Sequence, residues 1–303
     1  MLSTFFSTSK PIHYLTVLIT VVLSIIISLV LSSHLIWQDF IPLLVLPAAL
    51  AIFQFIVTKN DLTPSSTYAL FTASLISLLY IVFKVPVELL VALSFSLLAM
   101  RRLLSLKSGL VPVKKIFDAS FWIAIASIFY AWSTVFYVMV FIAIFLYARN
   151  DFRNWITPFI AMSCVWILLF TYDYVWEHEQ LHRISSSFFT SYLWEHHVFE
   201  IKTFIPLMLL GIAIIGLFVY ISKVVNIPQS TRPRFTIIMF SGLCSLVIAL
   251  LNFESFIHGG FLFLIPALSI LWAQFAHAVK HKIVVELLLW FPVLLFVWGL
   301  LLN

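Results

Sequence analysis

The chain has 303 residues, 63% of them hydrophobic and 10% charged, with a formal net charge of +5. A soluble domain carries about 25% charged residues, so this chain has too little polar surface to cover a globule in water, and lipid must solvate much of it. In a soluble protein the positive excess would suggest nucleic acid; here the cations sit between apolar runs, which excludes a nucleic-acid partner and points to the lipid bilayer.

The first apolar run, Leu15–Leu31, follows Lys10. No Ala-x-Ala-like cleavage site follows it and its core is longer than that of a secretory signal, so it reads as a retained first helix. A hydrocarbon core of about 30 Å takes roughly 20 helical residues. Clear apolar segments lie near 14–32, 41–57, 67–83, 86–100, 156–171, 204–222, 236–251, 260–277 and 284–301. The stretch 117–147 is too long for one span and short for two. It reads as two short helices broken near Tyr130–Thr134, with one tilted helix as the alternative. Unpaired backbone groups are too costly in lipid for anything but helices. The expected fold is therefore all-α: one transmembrane bundle over 1–303 with about ten or eleven spans. Cys164 and Cys244 lie in apolar runs without CxxC spacing, which argues against a structural disulfide or zinc ribbon.

The charges orient this bundle. Assigning loops alternately, starting inside, places Lys10, Lys59, Arg101, Arg102, Lys107, Lys114, Lys115, Arg149, Arg153, Lys223, Arg232, Arg234, Lys280 and Lys282 on the inner side, 14 of the 17 basic residues. Lys84, Arg183 and Lys202 fall outside. The positive-inside rule predicts such a bias, and it emerges only if 117–147 crosses an even number of times. The N-terminus is then cytoplasmic and the C-terminus periplasmic.

Polar residues gather in a few places. The loop 101–115, RRLLSLKSGLVPVKK, carries Arg101, Arg102, Lys107, Lys114 and Lys115. These five anchor the loop inside and are candidates for binding anionic lipid headgroups. Asp118 follows, where the helix dipole favours an acid; it is also a candidate for a polar site entered from the cytoplasm. Ser120, Ser127, Ser133 and Thr134 are placed to hydrogen-bond between helices. On the outer side stand Asp39, Lys84 with Glu88 at i,i+4 spacing, and Glu254 with His258; Asp39, Glu88 and Glu254 are candidate catalytic acids. Eight of the twelve acids (Asp39, Glu88, Asp173, Glu177, Glu179, Glu195, Glu200, Glu254) lie on that face.

The longest polar segment, 172–203, interleaves acids and histidines with Tyr172, Tyr174, Trp176, Phe188, Phe189, Tyr192, Trp194 and Phe199. It reads as a periplasmic loop of interfacial helices. It contains HEQLH, His178 to His182. On a helix these two histidines share a face and can bind zinc, with Glu179 activating a bound water. A third ligand is needed, and Glu200, eighteen positions after His182, could supply it. No further protease motif accompanies it, and the motif sits in a loop, not in an apolar helix. A plain solvated interface is the competing reading, and no cofactor other than this zinc is expected.

The opening FFSTSKPIHYL, the stretch AMRRLLSLKSG followed by KKIFDASFWIAIASIFYAWSTVFY, and NWITPFI resemble an uncharacterised family of polytopic inner-membrane proteins of Bacteroidota, flavobacteria above all. The resemblance is most specific over residues 97–147 and does not include HEQLH. It implies a Gram-negative inner membrane and no particular reaction. The expectation is a cell-envelope protein handling lipid or a lipid-linked glycan; the alternatives are a zinc-dependent membrane protease and a non-catalytic scaffold bound to other envelope proteins.

Overall fold

The computed structural model describes residues 2–31, 36–176, 181, 184, 201–223, 228–229, 231–279 and 281–302, and among these there is no β-strand. The helices are α1 (Leu2–Phe6), α2 (Pro11–Leu31), α3 (Pro42–Lys59), α4 (Tyr68–Phe83), α5 (Val87–Leu104), α6 (Pro112–Phe129), α7 (Tyr137–Tyr147), α8 (Phe152–Trp176), α9 (Phe204–Lys223), α10 (Arg232–Leu251), α11 (Phe253–Ile257), α12 (Ile265–Ala278) and α13 (Lys282–Leu301). Short 3-10 segments join several of them, among them Trp37–Phe40, Ser105–Ser108, Ala131–Phe136 and Gly260–Leu264.

Eight helical spans are long and apolar enough to cross a membrane, and Tyr68–Phe83 and Ala131–Tyr147 are shorter apolar stretches. Helix α6 holds Lys114, Lys115 and Asp118 in its first two turns, and its 18 residues still measure about 27 Å. The chain is thus a polytopic helical-bundle membrane protein: among the described residues, the eight long spans are accompanied by α4, α6 and the Ala131–Tyr147 stretch. Proline opens α2, α3 and α6, where the first-turn N–H has no helical partner to lose.

Contacts between helix ends sort the termini onto two faces. On one, Arg234 Nη1 donates to the Asn60 carbonyl (2.7 Å), and Ser66 Oγ bonds His277 Nε2 (2.6 Å). On the same face the Glu286 carboxylate accepts the Leu2 and Ser3 amides (2.7 and 2.9 Å), tying α1 to α13. On the other, Phe83 packs edge-on to Phe261 with ring centroids 5.1 Å apart, and Gly299 lies against Val82 and Ile205. The ends of α3, α5 and α12 and the starts of α4, α6, α10 and α13 therefore share the first face, which gathers the basic residues.

Two connections between helices are irregular. Helix α6 stops where Tyr130 turns extended (φ −143°, ψ 102°), and a 3-10 segment leads into α7. Were residues 120–137 one straight helix, Ser120 and Tyr137 would lie about 26 Å apart. Instead the Tyr137 hydroxyl donates to the Ser120 carbonyl at 2.9 Å, so the chain has doubled back. Helix α10 stops at Asn252, whose side chain accepts the Ser255 amide (3.0 Å) to start α11. At Gly259 the backbone takes φ +140°, and a Cβ there would strike Val85, so only glycine fits.

The two interruptions pack on each other. Tyr130 and Phe136 lie against Phe263 with centroids 5.3 and 5.5 Å apart, and Ser255 Oγ donates to the Tyr130 hydroxyl (3.0 Å). Breaking a helix frees backbone carbonyls, which lipid cannot satisfy. Consecutive residues of α10 contact one carbonyl in each segment: Cys244 Sγ approaches the Val135 carbonyl, which also accepts the Tyr137 amide, at 3.5 Å, and Ser245 Oγ, 3.0 Å from the Ser241 carbonyl of its own helix, lies 2.8 Å from the Phe263 carbonyl. Ser245 lies six residues before the end of α10, about 9 Å inside it, so this pairing occurs at hydrocarbon depth. Small residues allow the approach. A Cβ on Gly242 would come within 2.9 Å of Ala267 Cβ, and α6 buries Ala119, Ser120, Ala124, Ala126 and Ser127.

The expected interhelical bonds of the small hydroxyls are corrected in part. Ser127 and Thr134 donate to Ala124 and Ala131, carbonyls of their own turns, the usual local competitor for such side chains. Ser120 and Ser133 hydroxyls are buried with no protein partner.

Replacing Ser245 by Ala removes the hydroxyl bond to the Phe263 carbonyl and should destabilise the chain by about 0.5–1.5 kcal/mol. Ser222→Ala, which removes only an exposed bond to the Val219 carbonyl of the same helix, should have no measurable effect. Thermal unfolding of the two variants in detergent checks this.

Candidate functional site

The basic face presents the candidate site. The structure separates the five cations of the 101–115 loop into two sets. Arg102 pairs with Asp118 at 3.2 Å. Lys115 donates to the Ser105 carbonyl (2.8 Å) and to Ser108 Oγ, tying the loop to the start of α6. Gly109 (φ +66°) and Val111 (φ +44°) turn the chain into Pro112 and leave Leu110 and Val111 exposed beside Lys114.

Arg101 and Lys107 point elsewhere. Arg101 Cζ lies 4.7 Å from the centroid of Phe55, and Lys59 Nζ, one turn further along α3, lies 5.1 Å from the same ring, a placement that the quadrupole of the ring favours for cations. Lys107 Nζ approaches the Lys59 carbonyl at 3.5 Å and is within electrostatic reach of Lys59, Asp61 and Arg234. Arg234, at the start of α10, donates to Asn60 and stands 3.6 Å from Asp61; its side chain is 15% exposed and that of Asp61 84%. Its Nε is buried with no protein partner.

Four cations from α3, α5, the following 3-10 segment and α10 thus converge on the C-terminus of α3. Part of this is local chemistry: the last carbonyls of a helix are unpaired and carry about half a negative charge, which draws Lys107 and Arg234. Arg101 and Lys59 are held on Phe55 instead. The sequence reading placed Arg101 and Lys107 among headgroup-binding residues but did not single out Lys59 or Arg234. An aromatic four residues before a lysine at a helix end was the available signal for Lys59; Arg234 is 174 positions from its partner Asn60 and gave none.

The candidate acids are dispersed. Asp118 is engaged by Arg102 on the basic face. Asp39 Oδ2 accepts the Ile36 amide (2.8 Å) in its own turn, while Glu88 and Glu254 occupy first turns of α5 and α11, positions the helix dipole favours. No hydrogen bond or ion pair among the described residues joins any two of these acids, and Lys84 makes no ion pair with Glu88. His178, Glu179, His182 and Glu200 lie outside the described residues. Among those described, no three His, Cys, Asp or Glu side chains gather as a metal site.

Inside the bundle, Ser96, Met100, Phe136, Met139, Ser241 and Phe263 line a small cavity with room for about one water. No protein-family model, curated protein or solved structure matches the chain.

The Arg102–Asp118 pair is partly exposed, with side chains 43% and 24% accessible, and such pairs contribute about 0–1 kcal/mol. Asp118→Asn, Arg102→Gln and the double variant should therefore unfold within a few degrees of the parent. A large loss for Asp118→Asn alone would show that its carboxylate does more than face Arg102.

Proposed function

We propose that this chain is a multi-pass protein of a Gram-negative inner membrane that works on lipid or lipid-linked glycan in the cell envelope, engaging anionic headgroups with its basic face. The observation that carries this reading is the convergence of Lys59, Arg101, Lys107 and Arg234 on one spot where, among the described residues, Asp61 is the acid that faces them. Clustered Lys and Arg at a membrane surface attract anionic lipid by about 1 kcal/mol each. The positive-inside rule assigns that face to the cytoplasm, which puts the N-terminus inside and Leu301 on the periplasmic side. The resemblance to the Bacteroidota family over residues 97–147 supports the choice of membrane.

Purification from a membrane containing both zwitterionic and anionic phospholipid tests the proposal. The full chain should retain anionic lipid preferentially, as read by native mass spectrometry, and Arg101→Gln with Lys107→Gln should lower that retention by about thirtyfold, two charges at roughly 1 kcal/mol each setting the scale. Equal retention of both lipid classes, unchanged in the variant, would sink the proposal.

A further inference from the structure

We infer that Lys59, Arg101, Lys107 and Arg234 form a site for a phosphomonoester dianion, carried by a lipid of the phosphatidic-acid type or by a soluble phosphate. This rests on the headgroup reading above and adds which headgroup is chosen.

The argument is one of charge and of fixed geometry. Capping the α3 C-terminus requires about half a positive charge, and Asp61 balances one more. Four cations against that leave an excess of about +2.5, concentrated where α3 and α5 end and α10 begins. Among the other loop cations, Arg102 is balanced by Asp118, while Lys115 is held by the neutral Ser105 carbonyl and Ser108 hydroxyl. A phosphodiester headgroup, with one negative charge, leaves most of the excess standing. A phosphomonoester carries about −1.5 to −2 at neutral pH and removes most of it.

The cations are also held in place before any ligand arrives: two by Phe55, one by the Lys59 carbonyl and one by the Asn60 carbonyl. Positions fixed in advance lower the ordering cost of binding. Arg234 keeps a buried Nε–H with no partner among the described residues on a guanidinium whose fork suits phosphate oxygens.

The test uses the full chain in a neutral detergent and three probes: short-chain phosphatidic acid, short-chain phosphatidylglycerol and inorganic phosphate. Phosphatidic acid should bind about tenfold more tightly than phosphatidylglycerol, and Arg101→Gln combined with Lys107→Gln should abolish that preference. These two residues are exposed, so the variant tests the site without removing the cap that Arg234 places on α3. Lys114→Gln should leave the preference intact. Inorganic phosphate binding as tightly as phosphatidic acid, with the same dependence on Arg101 and Lys107, would support the dianion site and make its source soluble. If both lipids bind alike and both weaken in the variant, this inference falls while the headgroup reading stands. If neither lipid responds to the variant, both fall.

Discussion

A backbone amide or carbonyl surrounded by hydrocarbon has no water to turn to, and the arrangement of this chain follows from that constraint. The spans are helical because a helix pairs its own backbone. The two irregular connections, at Tyr130 and at Asn252–Gly260, lie against each other, with Phe263 packed on Tyr130 and Phe136. Helix α10 serves both. Cys244 reaches Val135 and Ser245 reaches Phe263, so one helix turn supports two departures from helical geometry. The hydroxyl is the stronger donor of the two, which makes Ser245 the more consequential residue.

The same constraint, applied at the membrane surface, shapes the basic face. Helix ends expose carbonyls, and the end of α3 draws Lys107 and Arg234 from two other elements. Once those cations are gathered, Lys59 and Arg101 on Phe55 raise the local charge beyond what capping needs. On the proposed reading, folding and recognition are connected at this point: residues that finish α3 also supply the field that would hold a phosphate. Asp118 belongs to the first role, since Arg102 and Asp118 join the end of α5 to the start of α6.

Much of the fold was legible in the sequence because hydropathy over about twenty residues is a local property. The all-helical, membrane-spanning character follows from it directly. The stretch 117–147 stood out by its length, yet what turns the chain there is the Tyr137 hydroxyl on Ser120 and the packing on Phe263, contacts that no local pattern encodes. The site was less legible. Arg101 and Lys107 were visible as part of a basic run, but within that run nothing separates them from Arg102 and Lys115; the difference comes from Asp118 and Ser108, which occupy the latter pair. Lys59 and Arg234 reach the site only through tertiary packing. Reading Ser127 and Thr134 as interhelical donors failed because each had a nearer acceptor in its own turn.

The separation of the basic ends of α3, α5 and α10 from the acidic turns at Glu88 and Glu254 is the feature on which both the fold and the proposed site depend. With Cys164 and Cys244 first replaced by serine, a single cysteine placed at Lys107, Arg232, Glu88 or Glu254 can be labelled in intact cells and in inverted membrane vesicles with an impermeant maleimide. The account predicts that positions 107 and 232 label only in inverted vesicles and that positions 88 and 254 label only in intact cells. Labelling of position 107 from outside, or of 107 and 254 from the same side, would contradict it.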